Sequence, residues 1–196
     1  METVRLFVAV ELPAGLKQEL VELVGRLRLE GGQSGVRWTD PQGIHLTLKF
    51  LGNVATGRLE EIASVLEGAV RGVAPFRLGV SGLGVFPNPR RVRVAWVGLS
   101  GDLDVLGRLQ KQVEAALASL GFEAEARGFT PHLTLARVRD QVPPGEREAF
   151  GRLILGASFE SRQGIEVGAI SLMRSQLTRQ GAVYSRISSI ALEGET

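Results

Sequence analysis

The sequence predicts a single bilobal domain over residues 1–196, with strands and helices alternating through two similar passes about an approximate two-fold axis. Three observations lead there. The chain has only two histidines, and both fall in the same tetrapeptide, His45-Leu46-Thr47-Leu48 and His132-Leu133-Thr134-Leu135. The copies lie 87 positions apart (132 − 45), one in each half. Each copy sits on an expected strand between two expected helices, and no stretch reads as a disordered linker.

The elements follow in order. Residues 4–10 are apolar and β-rich, a first strand. Pro13 opens a helix, since proline suits the first helical turn, and Leu16, Leu20, Leu23, Val24 and Leu27 repeat at helical spacing. The glycine-rich stretch 31–35 is a loop, residues 36–38 a short strand and 44–51 a longer one. A helix near 57–71 aligns Leu59, Ile62, Leu66 and Val70 on one face. Strands at 76–86 and 92–99 flank the turn Pro87-Asn88-Pro89-Arg90, because two prolines cannot sit inside a central strand. The second pass has a helix at 102–120 with Leu103, Leu106, Val113, Leu117 and Leu120 on one side. Next come the strand 131–138, a short helix near 146–154, and strands near 165–174 and 182–191.

At 196 residues and 44% hydrophobic content, the chain has ample material for a buried core. It has no cysteine, which excludes disulfides and thiolate metal sites. No apolar run approaches the ~20 residues of a membrane helix. The N-terminal stretch reads as a strand rather than a leader, so a soluble, cytoplasmic protein is expected. Net charge is only +2, so an anionic ligand must be held locally rather than by a polycationic coat. Most of the 23 basic residues are arginine, lysine occurring only at 17, 49 and 111.

The tetrapeptides carry the chemistry. Along a strand, successive side chains face opposite ways. His45 and Thr47 therefore share one face and Leu46 and Leu48 the other, and the second copy repeats this. The leucines suit a core. The polar pairs must face a cavity, because a buried imidazole or hydroxyl needs partners. If the lobes are related by a two-fold, two imidazoles and two hydroxyls meet across one cleft. That set suits a phosphodiester: threonine hydroxyls donate to non-bridging oxygens, and the imidazoles divide acid and base work. Packing alone would not select imidazole twice in a chain otherwise free of it. A metal site is not expected, since two histidines fall short of three or four ligands. There is no HExxH, and the nearest carboxylate, Asp40, precedes a proline in a loop. No G-x-x-x-x-G-K-[ST] phosphate loop occurs.

With these residues the chain resembles the two-histidine phosphoesterase superfamily, and within it the bacterial RNA 2′,3′-cyclic phosphodiesterases, also called the 2′-5′ RNA ligase family. The likeness covers nearly the whole length. It runs through Arg5-Leu6-Phe7-Val8-Ala9-Val10-Glu11-Leu12-Pro13, Ile44-His45-Leu46-Thr47-Leu48-Lys49-Phe50-Leu51-Gly52, Phe86-Pro87-Asn88-Pro89-Arg90-Arg91, Phe129-Thr130-Pro131-His132-Leu133-Thr134-Leu135-Ala136-Arg137 and Gly181-Ala182-Val183-Tyr184-Ser185. The resemblance implies an α+β fold with antiparallel sheets lining a central cleft and helices outside. It implies hydrolysis of RNA 2′,3′-cyclic phosphate ends to 2′-phosphate ends, with no metal or ATP. His45 is then the proton donor to the 3′ oxygen, His132 the proton acceptor that activates water, and Thr47 and Thr134 grip the phosphate. The partner is an RNA with a 2′,3′-cyclic phosphate end, and a monomer is expected. Reversible 2′-5′ ligation of RNA halves, or RNA-end binding without turnover, stand as alternatives.

Other residues have weaker claims. The family points to Arg137 as a phosphate contact, but strict alternation puts Arg137 on the leucine face and Lys49 on the face of His45. A bulge or the strand end would swing Arg137 round, so Lys49 stands as a rival. Phe7, Trp38, Phe50 and Tyr184 could stack on a nucleobase, and each also fits an ordinary core or rim position. Arg90 and Arg91, in an exposed turn, could meet the RNA backbone or simply be solvated.

Overall fold

The computed structural model describes residues 2–31, 35–126, 128–178 and 181–194. Residues 32–34 of the expected glycine-rich loop lie outside them. In chain order the elements are β1 (Thr3–Glu11), α1 (Ala14–Glu30), β2 (Val36–Trp38), β3 (His45–Ala55), α2 (Leu59–Ala69), β4 (Phe76–Phe86), β5 (Val94–Gly101), α3 (Leu103–Ala118), β6 (Leu133–Val138), α4 (Pro144–Gly156), β7 (Ile165–Val167), β8 (Ala169–Thr178) and β9 (Gly181–Ala191). No helix among the described residues is long and apolar enough to cross a membrane.

The helices form for the anticipated reason. In α1 the buried side chains are Leu16, Leu20, Leu23, Val24 and Leu27, one stripe at helical spacing. In α3 the expected stripe shifts. Leu103, the first helical residue, is 38% exposed, while Leu109 is fully buried beside Leu106 and Val113. β1 is apolar on both faces. Val4, Leu6, Val8 and Val10 enter the main core, whereas Phe7 and Ala9 join a small cluster with Met173 on the opposite face. Each fully buried leucine or valine stabilises the fold by about 1.5–3 kcal/mol.

The strands make two antiparallel sheets, ordered β3-β1-β8-β9 and β2-β6-β5-β4-β7. Helices α2 and α3 cover the first sheet, with α3 against β3. Helix α4 lies on β4 with α1 beside it, and Arg28 of α1 sits over the Trp38 ring of β2. Strands β3 and β6 approach each other where the sheets meet. The faces turned away from the helices line the cleft.

Two expectations need correction. The strand expected over 165–174 is broken at Gly168, so that β7 pairs with β4 in one sheet and β8 with β1 in the other. The lobes also differ from the two sequence passes. The first sheet takes β1 and β3 from the first half and β8 and β9 from the second, and the second sheet mixes the halves in the same way. The duplication is therefore interleaved: β4 crosses to pair with β5, and β8 crosses to pair with β1.

The internal symmetry reaches single residues. Across β1 and β3 the partners are Phe7–Phe50, Val8–Lys49 and Ala9–Thr47, skipping Leu48. Across β5 and β6 they are Val94–Arg137, Ala95–Ala136 and Trp96–Thr134, skipping Leu135. Both strands thus carry a bulge at the fourth residue of the histidine tetrapeptide. A bulge shifts side-chain alternation by one residue.

Candidate active site

Each histidine is fixed by the same backbone contact. The Nδ1–H of His45 donates to the Gly43 carbonyl at 2.8 Å, and that of His132 to the Thr130 carbonyl at 2.7 Å. A carbonyl oxygen only accepts, so these bonds select the Nδ1-protonated tautomer and leave each Nε2 free for cleft chemistry. Gly43 ends a short 3₁₀ turn, Pro41–Gly43, whose start is capped by Asp40 accepting from the Gln42 N–H at 3.0 Å. The carboxylate nearest in sequence to the first motif therefore shapes the turn that presents the carbonyl to His45.

Rings hold the imidazoles from behind. Phe7 stacks on His45 with centroids 4.5 Å apart, and Tyr184 meets it edge-on at 4.9 Å. Phe86 meets His132 edge-on at 5.1 Å, with Trp96 at 6.5 Å. Thr47 and Thr134 lie on the same faces as their histidines and are half-buried. Among the described residues, neither hydroxyl has a protein hydrogen-bond partner.

The bulges decide the basic residues. Arg137 emerges on the face of His132 and Thr134, exposed, and close enough to lower the proton affinity of His132. Lys49 turns the other way, which corrects the expectation from strict alternation. It is 2% exposed, and its Nζ donates to Glu114 Oε2 of α3 at 2.8 Å and to the Glu123 carbonyl at 2.7 Å. It is a buried tie between β3 and α3, with no access to the cleft. Phe50 occupies in β3 the place that Arg137 holds in β6, and it is 53% exposed.

The aromatic expectations divide accordingly. Phe7 is buried beneath His45, and Trp38 packs edge-on against Phe150 of α4, so neither offers a free face to a base. Phe50 and Tyr184 remain on the cleft side. Arg90 and Arg91 are exposed in the turn after β4, where their backbone N–H groups donate to the Asn88 side chain.

The symmetry breaks in the surroundings of the two imidazoles. Glu11 lies opposite His45 in the β1–β3 ladder, held by the Ser171 hydroxyl at 2.7 Å and by Arg186 Nη1 at 3.1 Å. The corresponding places in the other half are the glycines Gly98 and Gly84. A side chain on Gly84 would collide with the Trp96 ring. One histidine thus has a carboxylate beside it, and the other an indole and an arginine. Burial lowers the proton affinity of both below the usual 6.5. For His45 the Gly43 carbonyl and Glu11 oppose that shift and Lys17 adds to it, whereas at His132 the Thr130 carbonyl opposes it and Arg137 adds to it. Glu11, Ser171, Phe86 and Trp96 escaped sequence reasoning. Alternation from Phe7 does put Glu11 on the cleft face, but nothing local tells which strand lies opposite.

Paired His-x-Thr strands in a duplicated, two-sheet fold define a two-histidine phosphoesterase. Comparison with known proteins narrows the class: the family described as LigT like Phosphoesterase matches residues 10–96 and again residues 97–184, and the chain belongs to that family. It is 36% identical over 187 residues to the RNA 2′,3′-cyclic phosphodiesterase of Methanothermobacter thermautotrophicus, covering 93% of this chain and 95% of that one. It is 35% identical to the enzyme of the same name from Aeropyrum pernix, covering 87% and 96%. Among solved structures it is similar to a Thermus thermophilus protein, with TM-score 0.79, 29% identity and coverage of 98% and 100%. It is also similar to Escherichia coli LigT complexed with 3′-AMP, with TM-score 0.74, 26% identity and coverage of 97% and 99%.

Proposed function

We propose that the chain is a metal-independent RNA 2′,3′-cyclic phosphodiesterase, working as a monomer, that leaves 2′-phosphate ends. One observation carries this reading: both imidazoles donate Nδ1–H to a backbone carbonyl and keep Nε2 for the cleft, while their surroundings differ in charge. The names of the relatives support it.

His132 Nε2 takes a proton from water as the water oxygen attacks phosphorus. The P–O3′ bond breaks, and His45 Nε2–H delivers its proton to the departing 3′ oxygen. The product is a 2′-phosphomonoester beside a free 3′-hydroxyl, and proton exchange with solvent resets the pair. Glu11 favours the protonated form that His45 needs, against the larger opposing effect of Lys17, and Arg137 favours the neutral form that His132 needs. Thr47, Thr134 and Arg137 donate to the non-bridging oxygens, which gain charge in the transition state.

The test is an oligoribonucleotide ending in a 2′,3′-cyclic phosphate, incubated with the protein in EDTA. The expected product is the 2′-phosphate. A 3′-phosphate, or no turnover in EDTA, contradicts the scheme. His45→Ala and His132→Ala should each lower kcat by ~10²–10⁴-fold while the far-ultraviolet spectrum is unchanged. Product analysis at high RNA concentration separates hydrolysis from 2′-5′ joining.

A further inference from the structure

The cleft face of the second sheet carries a row of residues running outward from His132. Phe86, which touches the His132 ring, lies opposite Val94; Val94 lies opposite Arg137; and Arg137 lies opposite Arg37 of β2. Directly opposed residues of antiparallel strands share a face, and the neighbouring Trp38–Ala136 pair points into the core. Arg37 and Arg137 therefore stand side by side on the cleft face, on strands about 4.8 Å apart.

That pairing is unfavourable by itself. Like charges directly across a ladder destabilise a sheet, and among the described residues no carboxylate forms an ion pair with either arginine. The Arg37 guanidinium reaches toward the other lobe. Its Nη2 lies 3.5 Å from where a Cβ would sit on Gly181 of β9. Among the described residues the first sheet has no equivalent, because its histidine strand β3 is an edge strand and carries Phe50 at the place of Arg137. One rim of the cleft is doubly cationic and the other aromatic.

We infer that Arg37 is a polynucleotide contact: it binds the backbone phosphate next to the one that reacts, and so makes the enzyme prefer an RNA chain over a cyclic mononucleotide. This rests on the hydrolase reading, with Arg137 at the reacting phosphate. A second anion one strand further out neutralises Arg37 and removes the repulsion between the pair.

The test compares Arg37→Ala with wild type on an oligoribonucleotide ending in a 2′,3′-cyclic phosphate and on a 2′,3′-cyclic mononucleotide. The expected result is a roughly tenfold lower kcat/KM on the oligonucleotide, mostly in KM, and no change on the mononucleotide. The slope of log(kcat/KM) against log[salt] for the oligonucleotide should become shallower by about 0.7, one phosphate contact on a single strand. Arg108→Ala, which removes an equal charge from the exposed side of α3, should change neither. Equal losses on both substrates, or no loss on either, overturn the inference. A binding measurement keeps the test independent of turnover. If the wild type hydrolyses nothing, fluorescence anisotropy with a 2′-phosphate-ended oligonucleotide still reads the contact. Weaker binding by Arg37→Ala than by Arg108→Ala supports it, and equal binding by the two variants overturns it.

Discussion

The two imidazoles differ in the charges around them: Lys17 and Glu11 act in opposite senses on His45, whereas Arg137 acts on His132 with no carboxylate against it among the described residues. Glu11 opposes the loss of proton affinity that burial imposes on His45. Replacing it by glutamine removes that support, so Glu11→Gln lowers the pKa of His45 further and leaves that of His132 in place. With only two histidines, the imidazole Cε1–H signals give this directly by NMR titration, and kcat at pH 7 should fall on the order of a few-fold. Unmoved His45 titration would show that the Glu11–Ser171–Arg186 contacts are structural only. Both imidazoles have lowered proton affinity, and the proposed scheme needs one of them protonated. The alkaline limb of kcat/KM should therefore lie below the usual imidazole value of 6.5 and activity fall as pH rises through neutrality.

At the scale of strands, a one-residue bulge after each His-Leu-Thr determines which basic side chain reaches the cleft. It sends Arg137 into the cleft and Lys49 under α3, where Lys49 and Glu114 form a buried ion pair. Removing one member of such a pair leaves an uncompensated charge and costs about 3–5 kcal/mol when both are buried. Since Glu114 is 16% exposed, Lys49→Met should cost toward the lower end, ~3 kcal/mol in urea unfolding. The folded variant should keep its KM; a raised KM with unchanged stability would return Lys49 to the substrate. The bulges also explain why strict alternation fails here. Periodicity placed His45, Thr47, Leu46 and Leu48 on their faces, but a slip in pairing with β1 is invisible in the sequence of β3 alone.

For the molecule as a whole, the interleaving of the halves makes each lobe dependent on both. The first sheet draws β8 and β9 from the second half, and the second sheet draws β2 and β4 from the first. Fragments 1–92 and 93–196, produced separately, should each lack a complete sheet and show poor NMR dispersion. Mixing or co-expressing them should restore dispersion and turnover together. A folded, dispersed fragment 1–92 would contradict the interleaved architecture. The apolar run of 4–10 and the leucine stripe of α1 were legible because their partners lie on the face the pattern names. The division of 165–174 into two strands in different sheets was not, because Gly168 marks a break without saying where either side goes.

The amino-acid sequence alone identified the paired histidine tetrapeptides, the buried stripe of α1 and the duplication, because residue identity and local period need no knowledge of distant partners. Tertiary structure decided how the halves interleave, which way Lys49 and Arg137 turn, and which imidazole has the carboxylate beside it. Those properties belong to strand pairing between residues far apart in the chain, and a side chain's face is fixed only once its neighbour's register is.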